Sequence, residues 1–485
     1  MKPDVLTHTV EEGSHWPVSR RKAEAFFALG LRAAQRGDIR DAADHFRRAV
    51  KTDPGFTDAH FHLARASREL GELDQTVLSL KSVVNLCPDD SDAWYTLGKT
   101  YGTMQDHDRA EECYRTAFRL NPDDIRAYNN CGVALQALGR TGDARDCYRA
   151  ALAIDPDHAD SHYNMSLAFL LDGMFEQGWN EFEWRLFTSE RRSPFFRNDI
   201  PRWKGEDLSG KTLLLTAEQG YGDTLQFVRF VPLIQNTGAR VVLECQRELA
   251  PLLNGLAGVD LLIPQGRELP HCDYWSPLMS LPHYLRVPSH ALADHVPYLH
   301  ADPFRMALWS KRLESHPHQL KVGIVRTGNT RHRNDRKRSC SQEAFLPLLQ
   351  VPDVMWYDLQ RDGPALAAGT GVAVQHVGVG LRDFADTAAV IKRLDLVITV
   401  DSALAHLAGA MGKPVWLFLP FAPDWRWMLK RTDSLWYPSM RLFRQPAPDD
   451  WGAVLDAAIR ALKAVDRPSH YTSERPVLQT IGACG

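Results

Sequence analysis

Three short segments of the chain combine residue types that can do chemistry, and each follows an apolar, strand-like run. The first is Glu218-Gln219-Gly220-Tyr221-Gly222-Asp223-Thr224. Its glycines, Gly222 among them, let a backbone approach a ligand closely. Asp223 stands where a carboxylate can take a proton from an attacking hydroxyl, or where it can simply cap the helix that follows. The second runs from Thr399 through Asp401, Ser402, Ala403 and His406 to Ala410. A strand leading into a small-residue helix offers free N–H groups and partial positive charge to a pyrophosphate. The small Ser402 and Ala403 leave room for that anion, and His406, one turn on, can donate to it. The bland alternative is a capped helix with a packed histidine.

The third segment is basic. Arg326-Thr327-Gly328-Asn329 is followed by Arg331, His332, Arg333, Arg336, Lys337 and Arg338. Guanidinium groups pair well with phosphate oxygens, which makes Arg326, Arg336, Lys337 and Arg338 phosphate-contact candidates. A solvated charge run is the ordinary alternative. RNA binding fits less well, because the run lacks aromatic residues on which bases stack.

Parallel strands must position such loops. Strand-like runs at Lys211–Thr216, Ala239–Cys245 and Val259–Ile263 predict one α/β lobe. Runs at Lys321–Val325, Val354–Leu359, Val372–Val377, Leu396–Val400 and Pro414–Leu419, with helices over Asp383–Arg393 and Ser402–Met411, predict a second. Two such lobes bind ligand at the carboxyl ends of their strands, in the crevice between them.

The first third obeys a different rule. Pro54, Pro88, Pro122 and Pro156 recur at a step of 34, and Gly30, Ala64, Gly98, Gly132 and Ser166 keep the same step. Phe46, Leu80, Tyr114, Tyr148 and Phe182 form an aromatic or aliphatic column in register with them. Small residues let paired helices approach, the large column fills the space between them, and proline ends the second helix of each pair. Gly37, Gly71, Gly139 and Gly173 fall at the turn inside each pair, with Gln105 in the third. The pattern resembles tetratricopeptide repeats, for which a 34-residue period is the known signature. It covers roughly residues 23 to 186, as four full units and a partial fifth. Such arrays present a concave surface to a peptide or protein partner. Asn130 and Asn164 share one repeat position with His62 and Thr96, so they are either groove-lining amides that hold a peptide backbone or polar helix-packing residues.

Bulk properties set the limits. A chain of 485 residues needs more than one core, and a formal charge of −3 provides no global attraction to nucleic acid or an anionic membrane. Eight cysteines without a CxxC pair suit a reduced, cytoplasmic protein. No uncharged apolar run reaches the ~18 residues that would suggest a membrane span, and the polar start Met1 to Pro17 does not read as a secretory signal.

The Gly-Asp loop at 220–224, the Asp401-Ser402-Ala403 element with His406, and the two-lobed pattern resemble glycosyltransferase family 9, the ADP-heptose heptosyltransferases, in their repeat-fused bacterial form. Asp424-Trp425-Arg426-Trp427 and the stretch from Trp436 to Gln445 are similar to that subgroup too. The resemblance implies a repeat α-solenoid followed by a GT-B fold of two Rossmann-like lobes. It implies an inverting transfer from a nucleotide-diphosphate sugar to a protein or glycan hydroxyl, with no metal and no further cofactor; no paired acidic residues stand beside a phosphate loop. Asp223 would be the base. Gly222, Thr327, Gly328, Asn329, Asp401, Ser402, Ala403 and His406 would hold the donor, and Gln360 would lie near the nucleoside. Arg326 departs from the aromatic residue common in the subgroup, which bears on donor choice. The expected organisation is a flexible start (1–22), repeats (23–186), a linker (187–210), an acceptor-side lobe (211–315), a donor-side lobe (316–466) and a tail (467–485). A non-catalytic scaffold carrying an inactive transferase-like domain is the competing reading.

Overall fold

A computed structural model of the chain describes residues 18–188, 197, 199–313, 319–328, 335–361, 366–367 and 370–465. The protein forms two compact units, one ending at Ser161 and the other starting at His162.

The first unit is an antiparallel helical array: α1 (Val18–Gln35), α2 (Ile39–Thr52), α3 (Thr57–Glu69), α4 (Leu73–Leu86), α5 (Ser91–Thr103), α6 (His107–Leu120), α7 (Ile125–Ala137) and α8 (Thr141–Ile154). The periodic columns do what their residue types require. A Cβ on Gly30 would stand 2.6 Å from Phe46, and one on Gly132 would stand 2.4 Å from Tyr148, so each aromatic ring lies directly against the glycine of the facing helix. The turn within each pair needs a left-handed residue. Gly37, Gly71 and Gly139 supply it, and Gln105 adopts the same conformation at φ 66° in the third pair. Asn130 is partly buried and donates to the Tyr95 hydroxyl at 3.1 Å, so its amide already serves helix packing.

The second unit includes most of α9 (Ala159–Leu171), then α10 (Phe175–Phe182), a 3₁₀ turn at Glu183–Leu186, and two parallel sheets. The first sheet contains β1 (Thr212–Thr216), β2 (Arg240–Cys245), β3 (Leu261–Pro264) and β4 (Tyr274–Pro277), in the order β3-β2-β1-β4. The second contains β5 (Leu320–Val325), β6 (Val354–Asp358), β7 (Val374–His376), β8 (Leu396–Val400), β9 (Val415–Leu419) and β10 (Met440–Arg444), in the order β10-β9-β8-β5-β6-β7. Every strand pair is parallel. This is the arrangement of two Rossmann-like lobes. The sequence reading did not include β4 and β10.

The largest of the hydrophobic cores in this unit draws on both sheets, and α10 is part of it. Phe175, Trp179 and Phe182 are buried with Phe227, Trp425 and Trp436. Trp179 meets the edges of Trp425 at 5.4 Å and Phe227 at 6.1 Å between ring centroids. Trp203 and Leu208, from the stretch read as linker, are core residues as well, and Trp203 N donates to Trp275 O at 2.8 Å. No described helix is long and apolar enough to cross a membrane.

Candidate active site

The Gly-Asp loop leaves β1 and enters the helix Tyr221–Phe227, with Gly220 as N-cap. Asp223 occupies the third helical position, and its Oδ2 accepts from Gly220 N at 2.8 Å, so it does cap the helix. Its other oxygen, Oδ1, accepts from Arg426 Nη2. Glu218, at the head of the same loop, is not available for chemistry. It is clasped by Arg185, with Nη2–Oε1 at 2.7 Å and Nε–Oε2 at 3.0 Å, and also accepts from Met279 N at 3.2 Å.

The second motif arrives on the helix Ala403–Ala410, which follows β8. Ser402 is its N-cap in extended conformation, yet its hydroxyl lies 2.9 Å from Thr399 Oγ1 and makes no cap bond. Ala405 N donates to the Ser402 carbonyl at 3.1 Å, but the Ser402 side chain claims none of the first N–H groups of this helix. Gly222 sits against this helix: a Cβ on it would be 3.6 Å from Ala403 Cα and 2.8 Å from His406 Cδ2. The two segments, far apart in the chain, thus meet through a contact that only glycine permits.

His406 is 5% exposed, stacks on Trp427 at 5.3 Å and faces the Tyr437 hydroxyl with Nδ1 at 2.9 Å. Burial holds its pKa well below the ordinary value, aided by Arg426 and Arg229, so the ring is neutral. Asp401 is displaced the other way. Burial, then the nearby Asp424, push its carboxyl up to about 6 from 3.8, against the pull of Arg338, Arg426 and Trp427.

That displacement has a sign that can be checked. As pH rises from about 4 to about 6, an unfolded chain releases the Asp401 proton before the folded protein does, so stability falls across that window. Asp401→Asn removes this loss. Its melting temperature relative to the parent is expected to climb between pH 4.5 and pH 6.5; an unchanged difference would show that Asp401 titrates normally.

The basic segment forms a neighbouring group. Thr327 N donates to Gln360 Oε1 at 3.2 Å, which joins the ends of β5 and β6. Gly328 N donates to Ser339 Oγ at 3.3 Å, and the Arg338 guanidinium packs on Gly328, its Nε 2.8 Å from where a Cβ would stand. Arg326 is 8% exposed, and its carbonyl accepts from Cys340 N at 2.9 Å. Burial lowers the Lys337 pKa, with Asp449 opposing. Asn329, Arg331, His332 and Arg333 lie outside the described residues, as does the side chain of Arg336. Of the two repeat asparagines, Asn130 lies in the first unit and Asn164 in the second.

The residue that sequence reasoning missed is Arg426. It is 7% exposed, and besides Asp223 it bonds Asp424 Oδ1 through Nη1 at 2.9 Å and Gln226 Oε1 through Nε at 2.5 Å. The signal was present in Asp424-Trp425-Arg426-Trp427: an arginine between two tryptophans is carried into the core with them, and a buried guanidinium needs acidic partners.

Comparison with known proteins places family matches in both units. Residues 27–91, 95–159 and 132–176 match the tetratricopeptide repeat family. Residues 379–419, which hold β8, β9 and the Asp401–His406 element, match glycosyltransferase family 9 (heptosyltransferase). Protein FlbA of Caulobacter vibrioides is 28% identical over 316 residues, 60% of this chain and 53% of FlbA, so the chain spans about half the length of that relative. A crystal structure of MamA protein is 20% identical with a TM-score of 0.34, covering 37% of this chain and 99% of that one. YrrB, described as a TPR protein with an unusual peptide-binding site, is 15% identical with a TM-score of 0.32, covering 36% of this chain and 93% of that one. The chain thus carries tetratricopeptide repeats in its first third and, near its C-terminal end, a segment that matches glycosyltransferase family 9.

Proposed function

We propose that the second unit transfers a sugar from a nucleotide-diphosphate donor to an acceptor hydroxyl, with inversion and without a metal. The observation that carries this reading is the contact of Gly222 with Ala403 and His406, which sets Asp223 beside the start of the Ala403–Ala410 helix. The acceptor O–H gives its proton to Asp223 as its oxygen attacks the anomeric carbon. The bond from that carbon to the diphosphate breaks, and the diphosphate leaves with the electron pair. Backbone N–H groups at Ala403 and Leu404 and the Arg338 guanidinium receive the leaving charge. Donors fixed in advance in this way contribute about 3 kcal/mol each in other enzymes. If Tyr437 donates to His406 Nδ1, Nε2 carries the proton and can donate as well. Thr327, Gly328 and Gln360 line the nucleoside side, and the repeats recruit a protein acceptor or partner in a reducing cytoplasm, where the seven described cysteines stay unpaired.

Calorimetric titration of ADP, GDP and UDP, and of their sugars, tests this directly. At least one nucleoside diphosphate should bind, and Ala403→Glu should weaken it about a hundredfold or more, since like charges in contact cost several kcal/mol. A protein that binds none of them is not this enzyme. One observation favours the scaffold reading: both Asp223 oxygens already have internal partners. Release of nucleoside diphosphate from a bound donor separates the two.

A further inference from the structure

We infer that Arg426 is the positioning residue for Asp223, a role that rests on the transferase reading above. The geometry is specific. Asp223 is gripped from two directions, by Gly220 N at one oxygen and by Arg426 Nη2 at the other, which fixes its rotamer and leaves its remaining lone pairs for an acceptor proton. Arg426 is gripped in turn. Gln226, fully buried, holds its Nε, and Asp424 holds its Nη1. The guanidinium lies 4.3 Å over Trp425, and that ring is wedged by Trp179 at 5.4 Å and Trp436 at 5.9 Å. Only 7% exposed, Arg426 acts on the reacting atoms through Asp223 rather than by touching substrate.

Charge makes the same residue necessary. Asp223, Asp401 and Asp424 all act on this one guanidinium. Without it three carboxylates would face each other at the place proposed for a dianionic leaving group, and Asp223 would have no reason to hold one orientation. Lysine cannot substitute, because its single ammonium lacks the planar fork that reaches Asp223, Gln226 and Asp424 together.

The test measures release of nucleoside diphosphate from ADP-, GDP- and UDP-sugars by the full-length protein, with affinity for the free nucleoside diphosphate alongside. Arg426→Lys is expected to lower kcat about a hundredfold, the loss typical of a misplaced reacting group. Donor KM and nucleoside diphosphate affinity should stay within about twofold of the parent. Gln226→Met removes only the Nε partner and should lower kcat about tenfold with the same unchanged KM; it decides the matter should Arg426→Lys fail to fold. Parental kcat in a folded variant overturns the inference, as does a raised KM at parental kcat, which marks uniform binding instead. A parental protein that neither binds nor turns over any donor overturns the transferase reading and this inference with it.

Discussion

Asp223→Asn is expected to lower donor turnover by about 10²- to 10⁴-fold, the range a positioned general base supplies. The substitution is informative because the bond back to the N-cap from the third helical position needs only an acceptor oxygen, which an amide also supplies. An amide oxygen can still accept from Gly220 N, which Asp223 does at 2.8 Å, so the turn into the helix Tyr221–Phe227 is retained. What is lost is the proton acceptor and the charge opposite Arg426, whose bonds to Asp424 and Gln226 remain. Nucleoside diphosphate affinity is the control for folding, because the proposed diphosphate contacts lie on the other lobe. A variant that binds the nucleotide as the parent does and transfers sugar at the parental rate would leave Asp223 with the cap alone. This experiment therefore separates the capping role, which the geometry shows, from the proposed role as base.

The parts of the fold that follow local rules could be read from the sequence. A 34-residue step with small and aromatic columns specifies paired helices, and the contact of Phe46 with Gly30 and of Tyr148 with Gly132 is the physical content of those columns. Buried parallel strands such as β5 and β8 are continuous apolar runs, and Asp383 and Ser402 announce the helices they precede. The strands missed, β4 and β10, lack such a run: Tyr274–Pro277 has no aliphatic residue, whereas the equally short β3 carries three in a row, and Met440–Arg444 places arginines at two of five positions. The site divides along the same line. The glycine loop and the helix start are local patterns and were visible. The partner of Asp223 lies two hundred residues away, and that of Glu218 lies in the 3₁₀ turn after α10; no periodicity encodes such pairings. The buried state of His406 follows from the Trp427 and Tyr437 rings around it, which again is tertiary.

Arg185→Met is expected to destabilise the second unit by about 3–5 kcal/mol, the usual cost of leaving a buried charge without its partner. Arg185 is 1% exposed and serves four acceptors: Glu218 through two bonds, Glu183 at 2.9 Å, Ser280 Oγ at 2.9 Å and Phe182 O at 3.1 Å. Burial works against charge on Glu183, but Arg185 and Arg202 hold its pKa below the ordinary value. Methionine keeps much of the volume and removes the charge, so Glu218 would remain buried with only Met279 N to satisfy it. Urea denaturation measures the loss, and Glu218→Gln in the same chain should recover a large part of it, because a neutral amide costs far less to bury than an uncompensated carboxylate. A loss below about 1 kcal/mol would mean that water reaches the pair. The same contacts bear on any test of the repeats by truncation. A cut after Leu186 removes Trp179, Phe182 and Arg185 from the core that supports Trp425 and Glu218, whereas a cut between Ser161 and His162 leaves them in place. Only the second cut can ask whether the array selects the proposed acceptor, since the first strips the second unit of its own packing.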